Sequence, residues 1–248
     1  MSGDLNPKPT RGVGWAFLFA LRRESAPFTR RLRFAERLPA SCPAALYETK
    51  RGPAIVLETG IGTKRATTAI RWLLDHFGPR LVIACGYAGA LSPALKVGDV
   101  LIASEIVEPG DDDLHWRTTV PAELGDLPVG RMVTVAELAG RPSAKRSLAR
   151  QTGAVMVDME SAAIAELCQE KRVPCAVVRA ISDTADTAMS PRLVALLSGG
   201  RVALWRVLAA LVRSPGLAVE LWRLARDTRI AAQRLAEALE RLFTFRET

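Results

Sequence analysis

The sequence predicts an α/β fold: a three-layer α/β/α arrangement around a mixed, largely parallel central sheet, with an extra helical C-terminal tail. Three observations carry that prediction. Between residues 13 and 190, short apolar runs rich in Val, Ile and Ala alternate with amphipathic stretches of helical spacing. The apolar runs end in glycine-rich or acidic breaks, as strands of an open parallel sheet do before their crossover helices. From Pro191 onward the pattern becomes almost wholly helical, with Leu and Trp at helical spacing and arginines on the polar faces.

Taken in order, residues 13–21 ("VGWAFLFAL") predict a first core strand, and residues 24–37 a helix. "AALYETK" and "AIVLETG" predict two strands joined by a turn at Lys50-Arg51-Gly52-Pro53. "GIGTKRATTAIRWLLDHFG" passes from a glycine loop into a helix ended by Gly78 and Pro79, and "RLVIACG" is the next buried strand. "VGDVLIASEIV" predicts a strand pair or one long strand. Residues 108–130 predict an excursion over the surface, and "RMVTVAEL" returns to the sheet. A helix starts at Ser143 and runs through Arg150, followed by strand "GAVMVDM", helix "ESAAIAELCQEKR" and buried strand "VPCAVVRAIS". Residues 13–190 therefore form the core. Residues 191–248 form an amphipathic extension packed on it, broken at Gly199-Gly200 and at Pro215-Gly216.

Composition narrows the function classes. The 248 residues are 49% hydrophobic and 24% charged, with a net charge of +8. Such a balance suits a globular protein with an anionic partner such as a phosphate or a membrane surface. Two tyrosines and seven phenylalanines give little for base stacking, and no nucleic-acid motif is present, so no nucleic-acid partner is expected. Cys42, Cys85, Cys168 and Cys175 lack CxxC spacing and predict reduced thiols in a cytoplasmic protein. His76 and His115 are too few and too far apart for a zinc site, so neither a metal nor a cofactor is expected. The apolar "VGWAFLFAL" is followed by "RRESAPF" without a small-residue cleavage site, which favours a core strand over a signal peptide. No apolar run reaches the roughly 18 residues that a membrane-spanning helix needs.

The chemistry gathers at strand ends. Glu24 follows the first strand, "TGIG" (Thr59–Gly62) another, "CGYAGAL" the central one, "DMES" the strand of residues 153–157, and Asp183 follows the strand within "VRAISDTAD". Ligands of open α/β sheets bind at the carboxyl ends of strands, so five such features on one edge form a constellation. Asp158 and Asp186 are explained by supporting or loop roles.

"GYAGALSPALKVGDVLIAS", "VDMESAAIAELC" and "VPCAVVRAISDTAD" resemble the nucleoside phosphorylase/nucleosidase superfamily, above all its methylthioadenosine/S-adenosylhomocysteine nucleosidase branch, over about residues 13–190. The resemblance implies a nucleoside phosphorylase-like fold and cleavage of a purine N-glycosidic bond. It makes Asp183 the proton donor to the purine, oriented by Ser182, in apolar surroundings such as Ile181 that would raise a carboxyl pKa. Glu160 would hold the ribose hydroxyls and Met159 pack on the sugar. Glu24 would activate water, although only Ala20 and Glu24 match closely there and Arg22 and Arg23 replace acids. Gly86, Tyr87 and Ala88 match the loop that lines the base and sugar pocket, with Tyr87 at a position that is usually a small hydroxyl residue. Ile61 matches a residue near the nucleophile, and Arg179 is counted among the substrate-binding residues.

Two departures matter. Phosphorylases of this superfamily carry an arginine shortly before the glycine loop, where this chain has Ala84. That favours water over phosphate as co-substrate, with Arg22, Arg23 and Lys64 an alternative phosphate pocket. The run "VTVAELAGRPSAKRSL" lacks the nucleosidase branch's purine-binding aromatic and is more similar to a hopanoid-associated subgroup, linked to removal of adenine from adenosylhopane. A lipid-linked nucleoside would suit a basic tail in peripheral contact with the inner membrane face. A phosphate-dependent phosphorylase and a non-catalytic nucleoside-binding or membrane-peripheral protein are the alternatives. The resemblance further implies a homodimer or higher homo-oligomer.

Overall fold

In Trp15–Phe19 (β1), Ala16 and Leu18 face one side while Phe17 and Phe19 face the other, and these four are buried. A strand with both faces covered belongs to the middle of a layered α/β protein. The computed structural model describes residues 13–190 and 215–244. It contains one ten-stranded sheet with helices on both faces.

The other strands are Arg33–Arg37 (β2), Ala44–Thr49 (β3), Gly52–Glu58 (β4), Leu81–Ala90 (β5), Val100–Glu108 (β6), Asp111–Arg117 (β7), Val129–Thr134 (β8), Met156–Asp158 (β9) and Cys175–Asp183 (β10). The helices are Arg22–Thr29 (α1), Thr63–His76 (α2), Pro142–Thr152 (α3), Ser161–Glu170 (α4) and Pro215–Thr244 (α5), with a 3-10 turn at Ala122–Leu124. Strands β4, β1, β5 and β10 run parallel, as do β6, β8 and β9. The remaining pairings are antiparallel, so the sheet is mixed.

Strand β5 organises the site. Its first half pairs with β1, β10 runs beside it from Val82 to Gly89, and its end, Gly89 and Ala90, pairs with β9. Because β10 also pairs with β6, β6 with β8 and β8 with β9, these strands close into a ring around the glycine-rich end of β5. A side chain at residue 89 would meet Asp183 and Val157 at 3.1 and 3.3 Å, which is why glycine suits the closure.

Each face has its own core. Ala66, Ile70 and Leu73 of α2 and Ile164, Leu167 and Cys168 of α4 cover one side. Phe28 of α1 and Leu235, Leu239, Leu242 and Phe243 of α5 cover the other, where Phe28 and Phe243 stack at 6.2 Å. The Arg31–Glu240 ion pair at 2.5 Å also joins the α1 end to α5.

Several expectations need correction. The helix expected over 24–37 stops at Thr29, and residues 33–37 form the exposed edge strand β2 against β3. Pro27 is tolerated one turn into α1, but "RLRFAER" finds its backbone partners in β3 rather than in a longer helix. The surface excursion at 108–130 contains β7, hydrogen-bonded to β6, while "VGDVLIASEIV" takes the long-strand form of its two expected alternatives. Pro215 opens α5, in the first-turn position that its missing N–H suits. The break expected at Gly199-Gly200, and the tail over 191–214, lie outside the described residues. Among the described residues no helix is long and apolar enough to cross a membrane.

Candidate active site

Glu24 sits in the first turn of α1 with its carboxylate folded back on the β1 end. Its Oε2 accepts the backbone N–H groups of Ala20 at 3.0 Å and Leu21 at 3.2 Å. Only 4% of the residue is exposed. Burial raises its pKa to about 7, against the lowering influence of Arg179 and the two backbone donors, while Glu160 adds a smaller upward push. A helix-start carboxylate is thereby also a group that changes charge near neutral pH.

Arg179 is the counter-charge. It lies mid-strand in β10, where the neighbouring residues are apolar, and it is buried. Its Nη2 donates to Asp158 Oδ2 at 2.7 Å and to Ser161 Oγ at 2.6 Å, while Nε has no hydrogen-bond partner among the described residues. Burial alone would disfavour the charged guanidinium, but Asp158, Glu160 and Glu24 together outweigh it and hold it protonated. Asp158 is fixed in turn: Thr134 Oγ1 donates to it at 2.8 Å, and Ser161 contributes its hydroxyl at 2.6 Å and its N–H at 3.1 Å. Asp158 therefore belongs to a buried network under the site rather than to a solvated loop.

Glu160, just before α4, accepts the Gly62 N–H at 3.0 Å, which ties the "TGIG" loop to the "DMES" segment. Burial and then Asp158 raise its pKa, with Arg179 opposing. Thr63 Oγ1 donates to the Met159 carbonyl at 3.3 Å across the same seam.

Glu24, Gly86, Tyr87, Glu160 and Arg179 line one narrow cavity with Thr59, Cys85 and Ile164. Its volume of about 30 Å³ has room for a water molecule. A Cβ at residue 86 would come within 2.6 Å of Arg179 Nη1 and 3.2 Å of Glu24 Oε2, so glycine lets these charges meet against β5. Tyr87 reaches over α1, its hydroxyl 3.5 Å from the Arg23 carbonyl, and burial with the adjacent Glu24 pushes its pKa up.

Asp183 stands at the end of β10, next to β5 and apart from this cavity lining. Ser182 Oγ donates to its Oδ1 at 2.8 Å, and Ala88 provides a carbonyl 3.4 Å from the same hydroxyl. The surroundings are not simply apolar, however. Lys145 of α3, itself buried, places its ammonium on Asp183 Oδ2 and donates to the Thr184 carbonyl at 2.7 Å. Sequence reasoning missed Lys145, since "PSAKRSL" reads as a solvated helix face. Ile61 and Met159 are half-buried on the two neighbouring loops and do not reach the cavity lining. Arg22, Arg23 and Lys64 are exposed, and Ala84 is buried in the core. Among the described residues no cluster of His, Cys, Asp or Glu has the makings of a metal site.

The comparisons with known proteins settle the family. The model of the phosphorylase superfamily matches residues 16–122 and 115–198. The chain belongs to the phosphorylase superfamily. Among curated proteins it is similar to the 5'-methylthioadenosine/S-adenosylhomocysteine nucleosidase of Tolumonas auensis, 32% identical over 174 residues, covering 60% of this chain and 76% of that one. Among solved structures it is similar to the nucleosidase of the same name from Helicobacter pylori, crystallised with butyl-thio-DADMe-Immucillin-A. The TM-score is 0.73 at 21% identity, covering 93% of this chain and 97% of that one. The native futalosine hydrolase of Helicobacter pylori aligns with a TM-score of 0.71 at 21% identity, over 93% and 97% of the two chains. The α/β fold expected of this superfamily is thus the fold these structures share.

Proposed function

We propose that this superfamily member is a purine nucleosidase: it hydrolyses the N-glycosidic bond of an adenine nucleoside carrying a 5′ substituent. The observation that carries the reading is the cavity where Glu24, with a pKa about 7, faces Arg179 and Glu160. Ionised Glu24 takes a proton from a water held there as the water attacks C1′. Glu160, oriented by the Gly62 N–H, holds the ribose hydroxyls, and its charge stabilises the cationic sugar that develops. Gly86, Tyr87, Ala88, Met159 and Ile61 shape the sugar and base surfaces. Asp183, oriented by Ser182, protonates the departing purine at N7.

Charge balance favours water over phosphate as the nucleophile. The cavity holds one guanidinium, that of Arg179, already engaged by Asp158 and Ser161 and faced by Glu24 and Glu160. A phosphate dianion needs cations and N–H donors left over for it; exposed Arg22, Arg23 and Lys64 do not supply them inside the cavity.

For the 5′ substituent, the reading is a large lipid such as the hopane of adenosylhopane, with the enzyme working as a homo-oligomer at the cytoplasmic membrane face. The supporting feature is α5, where exposed Val219, Trp222, Arg223, Arg226 and Arg229 recur at helical spacing. Trp222 is 63% exposed, with the Arg226 guanidinium 5.4 Å from its ring centroid. Mass spectrometry of products from a panel of adenine nucleosides, with and without phosphate, tests the whole reading. Free adenine with free ribosyl product, unchanged by phosphate, is expected. A ribose 1-phosphate product would make the enzyme a phosphorylase, and no base release from any nucleoside would end the catalytic reading.

A further inference from the structure

A buried ammonium without a partner is too costly to persist, so the place of Lys145 calls for a reason. Its residue is 1% exposed on a helix whose neighbouring Arg146 and Arg150 face solvent. It spends two of its three N–H groups on Asp183 Oδ2 and the Thr184 carbonyl. The other charged groups on the elements around the pair are engaged elsewhere or face solvent. Asp158 on β9 binds Arg179, and Glu160 accepts from Gly62. Asp99, whose carbonyl accepts the Ile181 N–H, takes the Lys96 N–H on its own carboxylate. Arg146 pairs with Asp186 at 3.6 Å, and Glu137 before α3 is exposed.

This arrangement raises a chemical difficulty for the reading above, on which the inference rests. A carboxylate in close contact with an ammonium has no proton of its own to give. We propose that Lys145 is a positioning residue for leaving-group protonation, holding the proton that Asp183 passes to the purine.

The step balances as follows. The C1′–N9 bond breaks and its electron pair moves onto the purine. N7 takes a proton from Asp183 while Asp183 takes one from the Lys145 ammonium, so Asp183 stays a carboxylate overall and Lys145 becomes a neutral amine. Water adds its oxygen to C1′ and gives a proton to Glu24. After the products leave, Glu24 releases its proton to solvent and Lys145 regains one.

The relay predicts a pH dependence that a purely structural lysine would not produce. The substrate is whichever adenine nucleoside wild type cleaves fastest among adenosine, methylthioadenosine and 5′-alkyl adenosines. Lys145→Met should lose at least about 100-fold in kcat/KM at pH 8.5 and less than about 10-fold at pH 5.5, where solvent replaces Lys145 as the source of the proton. Lys145→Arg should retain more of the alkaline activity than Lys145→Met. A loss of equal size at both pH values, with a normal melting temperature, overturns the relay. If Lys145→Met does not fold, the wild-type profile answers the question. With the ordinary nucleoside, kcat/KM should fall on the alkaline side; with its N7-methylated counterpart, whose cationic base leaves without a proton, that limb should vanish. The same limb with both substrates, or none with the ordinary one, overturns the proposal. Wild type that cleaves no nucleoside at all would instead sink the nucleosidase reading itself, so the two failures are distinguishable.

Discussion

Arg179 of β10 reaches Asp158 of β9 at 2.7 Å, although the two strands are not neighbours in the sheet. The contact runs beneath β5, which pairs with both strands, and fixes the guanidinium under Gly86. Lysine could supply the charge at this position but not a planar fork that serves Asp158 and Ser161 together. Arg179→Lys should therefore leave Asp158 or Ser161 poorly matched and lower the melting temperature, with a loss of about 1–3 kcal/mol, since one buried charge-assisted hydrogen bond is lost while the charge stays. Chemical denaturation at pH 7 measures it.

Asp183 is the proposed proton donor, so its removal should stop base release, yet its variant is not structurally silent. Asp183→Asn leaves the Lys145 ammonium buried beside a neutral amide, which should destabilise the protein by about 3–5 kcal/mol. Asp183→Asn with Lys145→Met removes both charges and should recover much of that stability while remaining inactive. Adenine release assayed next to a melting curve separates the two effects; near-wild-type turnover in the double variant would remove Asp183 from the mechanism.

Gly86 is a matter of space. A methyl group there meets the Arg179 Nη1 at 2.6 Å, and that nitrogen belongs to a side chain pinned by Asp158 and Ser161, so it cannot simply swing away. Gly86→Ala should push the guanidinium off its partners. We expect a stability loss of about 1–3 kcal/mol, as for other overpacked sites, together with a larger fall in kcat than in substrate affinity. Steady-state kinetics of the variant gives the split.

Much of this was readable in the residues themselves, for a physical reason. β1, β4, β5 and β10 are continuous apolar runs because helices cover both their faces, and each one's end announces itself with glycine or acid. β2 was not readable: all five of its residues are exposed, so no burial pattern marks it and only pairing with β3 makes it a strand. β7, with three acids in "DDDLHWR", likewise owes its form to β6. At the site, an arginine inside "AVVRAIS" signals a buried counter-charge, whereas Lys145 sits among exposed cations and gains its meaning from Asp183, 38 residues away. Local pattern reports burial well and long-range charge pairing poorly.

The exposed face of α5 makes a separate prediction about surfaces. Deleting the tail is a poor test, because Leu235, Leu239, Leu242 and Phe243 cover Phe17 and Phe28 of the core. Val219→Ser with Trp222→Ser alters exposed positions only. If this face meets lipid, wild type should co-sediment with vesicles containing anionic lipid and the double variant should pellet several-fold less, at unchanged melting temperature. Equal pelleting would exclude this face as the contact.

Glu24 links activity and stability to the same proton, with opposite signs. As the proposed base it works only when ionised, so kcat/KM should fall as pH drops below about 7, and Glu24→Gln should lose roughly 10²–10⁴-fold. For stability, the folded-state pKa lies above the ordinary glutamate value of 4.5, so the protonated carboxyl is the form the fold favours. Its contribution is complete below about pH 4.5 and is lost as pH rises to about 7, a span worth roughly 3 kcal/mol at 1.36 kcal/mol per unit. Glutamine keeps the shape without the charge, so Glu24→Gln should melt higher than wild type at pH 8 and close to it at pH 4. Calorimetry at the two pH values checks the sign. A variant less stable than wild type at pH 8 would mean that ionised Glu24 holds the site together through Arg179, rather than being tolerated there for its chemistry.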